Sequence, residues 1–171
     1  PAQRRERDAS RRWRLELQVA GPLEPLAVHL QAQGWEVQPQ ADWTATLGLL
    51  DEDVPARRQP VLPATLGTEA ESLLLRRPAG DDRLQVVRLW RAPALLADGT
   101  PLWIGVVQSL EYQRPLSGLF GIWLPAMDDD GAYSALRDSL DGLAVREAPH
   151  PQGGAPVLRV RTVAPGSGQQ P

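Results

Sequence analysis

The chain of 171 residues contains no cysteine and no lysine; all 18 of its basic residues are Arg. Without cysteine there is no disulfide, no thiolate metal site and no Cys nucleophile. Without lysine there is no Schiff-base chemistry and no P-loop. Aromatics other than tryptophan are scarce, with one Phe and two Tyr against six Trp. No long hydrophobic run exists. The longest uncharged stretch around an apolar centre, Pro115 to Met127, falls well short of the roughly 20 residues a membrane-crossing helix needs. No signal peptide is visible, and no G-x-S-x-G, H-E-x-x-H or G-x-G-x-x-G motif occurs.

What is present is ordinary globular composition, 42% hydrophobic and 23% charged, in a chain long enough to bury one core. The expected organisation is a basic, flexible leader over 1–11, one α/β domain over 12–163, and a disordered Gly/Ser/Gln/Pro tail over 164–171. The chain begins at Pro1 rather than Met, as a processed protein or a piece of a longer one would. Residues 1–14 hold six Arg against Glu6 and Asp8, a net of +4, and the whole chain carries −3, so residues 15–171 carry −7. An acidic body argues against nucleic-acid binding. The leader can be read as a solvated tail, as a segment that follows a membrane helix and touches the membrane surface, or, least simply, as a nucleic-acid arm.

Periodicity places the elements. Trp13, Leu15, Leu17 and Val19 alternate with polar residues, as a half-buried strand does. Gly21-Pro22 opens a helix with Leu23, Leu26, Ala27 and Leu30 on one stripe and Gly34 at its end. Trp35 is expected to pack back on that helix. Asp42 can cap a short second helix, and residues 51–63 read as a loop. Ser72 to Arg77, Arg83 to Ala92 and Leu102 to Tyr112 read as strands; 113–129 reads as irregular. A further helix starts at Asp129 or Asp130 and stops at Gly142, and Leu143 to Glu147 and Val157 to Val163 close the order. The order β-α-(α)-β-β-β-α-β-β predicts an α+β two-layer sandwich, a mainly antiparallel sheet with helices on one face.

The segment from Arg88 to Gly105 carries the sharpest local argument. With Asp98-Gly99 as a two-residue turn, Leu89 faces Gln108 and Arg91 faces Val106. Val87, Leu89, Ile104, Val106 and Leu110 then share a core face, and Arg88, Trp90, Trp103, Gly105 and Ser109 share the other. Pro93 and Pro101 both disturb pairing, and a bulge would invert the faces.

Arg88-Leu89-Trp90 followed by Asp98-Gly99-x-Pro101-Leu102-Trp103-Ile104-Gly105 resembles the LssY C-terminal domain family. So do Leu17-Gln18-Val19-Ala20-Gly21, with the helix to Gly34-Trp35, and Pro60-Val61-Leu62-Pro63-Ala64-Thr65. The likeness covers about residues 13–145. In that family the domain stands at the C-terminus of bacterial membrane proteins with DedA-type or type-2 phosphatidic-acid-phosphatase regions. The resemblance therefore implies a soluble domain of an inner-membrane-associated parent, with the parent's membrane domains as partners; the Arg-rich leader, read as a basic flank that follows a membrane helix, places the domain on the cytoplasmic side. It brings no catalytic residues. The phosphatase signature needs a Lys, two catalytic His and a membrane scaffold, so that activity would belong to other parts of a parent.

Candidate chemistry is correspondingly thin. His29 lies off the helix stripe and is expected to be a solvated surface residue; His150 sits in a loop. Asp51-Glu52-Asp53 and Asp128-Asp129-Asp130 could hold a hard cation but suit a solvated turn and a helix N-terminus better. No catalytic residue, metal ligand or cofactor is assigned. Trp13, Trp35 and Trp43 suit core packing. Arg88, Trp90, Arg91 and Trp103 are the candidate ligand or partner residues, and Phe120, Ile122 and Trp123 a candidate membrane or partner loop. Three functions stay open: a non-catalytic accessory or interaction domain of a membrane phosphatase or lipid-handling protein; a module for a small anionic or aromatic ligand; and an unrecognised hydrolase.

Overall fold

A computed structural model describes residues 14–39, 55–114, 121–126 and 131–162. In chain order the described elements are β1 (Leu17–Ala20), α1 (Leu23–Ala32), β2 (Glu36–Val37), a 3-10 turn (Ala56–Arg58), β3 (Thr65–Leu66), β4 (Glu69–Ala70), β5 (Leu73–Pro78), β6 (Arg83–Leu95), β7 (Pro101–Gln113), β8 (Ile122–Pro125), α2 (Gly131–Ser139), β9 (Ala144–Ala148) and β10 (Val157–Arg161). The main sheet runs β2-β5-β6-β7-β1-β10-β9, with β8 paired to the far end of β7, and β3-β4 form a separate small hairpin. All pairs are antiparallel except β1 with β10. The α+β sandwich with a mainly antiparallel sheet is what the sequence order predicts.

Both helices lie on one face. Leu26, Leu30, Ala132, Leu136 and Leu140 pack with Leu17, Val19, Leu75, Val87, Leu89, Val107, Leu158 and Val160 in one buried cluster. Every second residue of each strand contributes, as the pleat requires. Pro22 stands at the N-terminal cap of α1, and Gly34 takes φ +87° where the chain turns out of it. Trp35 then returns beneath the helix and is buried; its indole donates to Ser139 Oγ at 2.9 Å. His29 is not a free surface residue. Its Nε2 lies 2.9 Å from the Ser139 carbonyl, which ties α1 to the end of α2.

The other face is also covered over the β5-β6-β7-β8 half. Val61, Leu74, Leu84, Val86, Leu110 and Trp123 form a second buried cluster. The near-continuous apolar run Leu84 to Trp90 reflects this, because a strand covered on both sides has no polar face.

The β6–β7 register differs from the expected one. Leu89 faces Gly105 and Arg91 faces Trp103, and the register shifts between Arg91 and Leu95. Residues 92–94, with Pro93 among them, form a bulge, and the chain reverses over Leu96 to Thr100. There Leu96 N–H donates to Thr100 O at 3.0 Å and Gly99 takes φ +80°. The displacement from the expected pairing is three residues. An odd displacement turns β7 over relative to β6. Trp103 and Gly105 therefore go to the helix face, and Ile104 and Val106 join Arg88 and Trp90. Gly105 is demanded by this arrangement: a Cβ there would sit 2.6 Å from Arg88 O and 2.7 Å from Leu89 Cδ2.

The stretch read as irregular contains β8. Its Trp123 is buried against Tyr112, with ring centroids 5.1 Å apart at 59°. Strand pairing with β7 and indole burial outweigh the local Pro and Gly signals. The expected strand start at Trp13, the helix at Asp42 with Trp43, the acidic clusters at 51–53 and 128–130, Phe120, and the leader and tail lie outside the described residues. Among the described residues no helix is long and apolar enough to cross a membrane.

Candidate functional site

The Arg- and Trp-bearing sheet face is built around a strap, residues 55–64, which begins with the 3-10 turn Ala56–Arg58 and continues without regular structure. Pro60 and Pro63 cannot donate to a ladder, so the strap's carbonyls need partners from elsewhere. Side chains supply them. Arg76 donates to Gln59 O at 3.0 Å and to Arg57 O. Trp123 Nε1 donates to Gln59 O at 3.2 Å. The Gln38 amide is bonded both ways to Val61, at 2.9 Å each. Arg88 donates to Leu62 O at 3.1 Å and Trp90 Nε1 to Ala64 O at 3.3 Å.

Arg88 and Glu71 form a buried ion pair beneath the strap, at 2.6 Å, with side-chain exposures of 6% and 8%. Burial pushes the Glu71 carboxyl above its usual range; the Arg88 charge, its hydrogen bond and the Ala64 backbone pull the other way without cancelling it. Arg88 Nε is buried without a hydrogen-bond partner. Burial likewise pulls the Arg76 guanidinium below its usual range, partly opposed by Glu36.

The structure separates the four candidate partner residues instead of gathering them on one open patch. Arg88 and Trp90 are buried under the strap. Trp103 lies on the opposite face, half-buried against the helix-side core, with Nε1 donating to Gly21 O at 2.8 Å. Arg91 alone is exposed. It lines a cleft of about 250 Å³ with Glu69, Pro93 and Leu95, at the root of the hairpin tip. Of the candidate membrane loop, Ile122 is half-buried and Trp123 is buried in the second cluster. An indole held under the strap cannot also enter a bilayer without unpacking that cluster. His150 Nδ1 accepts from Gln152 N–H at 3.1 Å in an exposed turn. Among the described residues no three His, Cys, Asp or Glu are grouped to hold a metal ion.

Two surfaces escape the sequence reading. The strap stops short of the β1-β10-β9 half of the sheet. There Arg146, Arg159 and Arg161 project from the face opposite the helices, all exposed. Their ties are light: Arg159 Nε to Gln18 Oε1 at 3.1 Å, and Arg161 to Asp98 at 3.5 Å. The alternation of Leu158 and Val160 with Arg159 and Arg161 was the available signal. The second surface is a groove of about 540 Å³ between the end of α2 and β9, lined by Arg137, Asp138, Asp141, Val145 and Glu147 among others. No sequence signal reports it, because it arises from where β9 falls in the sheet.

A family model described as "LssY C-terminus" matches residues 1–113, two-thirds of the chain. The match runs through β1 to β7 and includes the strap; α2, β9 and β10 lie beyond it. No curated protein and no solved structure matches the chain.

Proposed function

The chain belongs to the LssY C-terminus family, and from that premise we propose that it is a non-catalytic accessory domain that docks through its sheet. The parent we infer is a bacterial membrane phosphatase or lipid-handling protein, whose membrane domains and anionic surroundings are the partners. One observation carries the reading. The buried Arg and Trp side chains are engaged in holding the strap, while the uncovered half of the same face presents Arg146, Arg159 and Arg161. Guanidinium groups on a flat strand face suit an anionic, extended surface, since each offers a fork of donors and a permanent charge. A site for chemistry would instead need ionisable groups converging in a cavity. The titratable groups with shifted values on this face, Glu71 and Arg76, point under the strap.

The test has two arms. The purified chain is expected to release no phosphate from phosphatidic acid above a buffer control. The Arg146→Glu/Arg159→Glu/Arg161→Glu variant is expected to lose binding to vesicles containing phosphatidic acid or to the parent's membrane region, with its denaturation midpoint kept. Sustained turnover by the chain, or unchanged binding by the triple variant, refutes the reading.

A further inference from the structure

The sheet sets Arg159 of β10 directly against Arg146 of β9. On β10, Leu158 N–H donates to Glu16 O and Thr162 N–H to Ala20 O, so its even-numbered residues turn their backbone toward β1. The odd-numbered residues therefore turn theirs toward β9. In such a hydrogen-bonded antiparallel pair the Cα atoms stand about 5.5 Å apart, and both side chains leave the sheet on one side. That side is the face opposite the helices, because Leu158 and Val160, at the alternate positions, belong to the helix-side cluster. Like charges placed directly opposite one another destabilise a sheet.

Nothing described in the chain offsets that repulsion. The sequence holds 21 acidic residues, yet among the described residues none is ion-paired with Arg146 or Arg159. Both side chains are exposed. Arg159 Nε donates at 3.1 Å to Oε1 of Gln18, its register partner on β1. That bond fixes the plane of the guanidinium and leaves its two terminal nitrogens for another acceptor. Arg161, two residues along β10, differs: Asp98 Oδ2 lies 3.5 Å from it.

We propose that Arg146 and Arg159 together form a binding site for a phosphomonoester group. Charge selects the class. A phosphomonoester carries about −1.5 to −2 at neutral pH and offers three strong acceptor oxygens. The pair offers two permanent charges and two forks of donors. A carboxylate or a phosphodiester, with a single charge and two free oxygens, is satisfied by one Arg and leaves the other opposed. A dianion held between the two guanidinium groups also removes their repulsion, so the placement that strains the free sheet becomes an attraction when the group binds. Arg161 stands outside the site because Asp98 already answers its charge. The inference rests on the docking reading above and narrows it. That reading asks for anionic surroundings and counts all three Arg; this one asks for a doubly charged phosphate and two of them.

The experiment titrates the full chain, in low-salt buffer at neutral pH, with methyl phosphate and with dimethyl phosphate, following the amide resonances of Gln18, Arg146 and Arg159. The monoester is expected to bind about tenfold tighter than the diester. Arg146→Gln and Arg159→Gln are each expected to weaken the monoester by about tenfold, the scale of a hydrogen bond to a charged group, and Arg161→Gln by no more than about twofold. Without ligand, Arg146→Gln should melt no lower than wild type, since the opposed charges are gone. Phosphatidylcholine vesicles doped with phosphatidic acid, a monoester, or with phosphatidylglycerol, a diester, at matched surface charge, then give the source of the group. A preference for phosphatidic acid that Arg146→Gln abolishes supports the site with a lipid headgroup as its ligand. Selective binding of methyl phosphate without that preference supports it with a soluble phosphomonoester. Equal affinity for the two soluble esters, an equal loss in Arg161→Gln, or a lowered melt of Arg146→Gln overturns the proposal. Vesicle binding that ignores the ester but needs all three Arg overturns it alone and leaves the docking reading standing.

Discussion

Replacing Arg88 with methionine is expected to loosen the strap and cost about 3–5 kcal/mol, the range for removing one partner of a buried ion pair. Three losses combine. The Glu71 carboxylate stays buried without its 2.6 Å partner, Leu62 O loses its donor, and the Trp90 indole loses the neighbour that holds the strap over it. Domains of this kind have about 5–15 kcal/mol in total. At a urea slope of about 2 kcal/mol/M, the midpoint should fall by about 2 M. The double variant Arg88→Met/Glu71→Leu should recover much of the loss, since an apolar pair of similar volume often replaces a buried ion pair at little cost.

The pH dependence gives a second handle on the same pair. The folded-state pKa of Glu71 is raised by burial, so its contribution is complete below the usual carboxylate range and is lost as pH rises through the folded value. Without Arg88 the opposing charge is gone and the rise is larger. The variant should therefore fall further behind wild type at neutral pH and approach it under acid conditions. Urea melts followed by tryptophan emission, at neutral and acid pH, check both statements. A loss below about 1 kcal/mol, the scale of an exposed pair, or parallel pH curves, would refute the view that this pair holds the strap.

Two further substitutions test the packing. Gly105→Ala should destabilise by about 1–3 kcal/mol, as overpacked sites do, because the new methyl meets Arg88 O and Leu89 Cδ2 inside 3 Å; a thermal melt equal to wild type would contradict the register. Trp123→Ala should cost about 3–5 kcal/mol and loosen the strap at Gln59, whose carbonyl it bonds. Calorimetry and exchange at the Val61 amide read those two effects, and an unchanged melt would return Trp123 to an exposed loop.

Much of the fold was legible in the sequence because it is written in local periodicity. Leu23, Leu26, Ala27 and Leu30 mark one helical stripe, and Gly34 its end, whatever the helix packs on. Alternation from Leu17 to Val19 marks a strand for the same reason. The pattern from Trp90 to Trp103 also marked the family. Which face of β7 carried Trp103 was not legible. The tip sets it: three residues, 97–99, lie between the paired Leu96 and Thr100 where a two-residue Asp98-Gly99 turn was expected, which displaces the pairing by one and turns β7 over, while the shift between Arg91 and Leu95 adds two and keeps the faces. The strap was legible only as a Pro-rich loop. Its carbonyls are satisfied by side chains from residues 38, 76, 88, 90 and 123, and sequence separation hides such partners. The same applied to the candidate site. Arg88 beside Trp90 is an open cationic patch or a buried latch depending on whether 55–64 lies over it. Arg146, Arg159 and Arg161 are exposed because the strap ends before β10. Composition determined which chemistries lacking Lys and Cys could not occur, and periodicity determined the elements. Tertiary structure decided which charged side chains face water, because burial depends on what the rest of the chain lays across them.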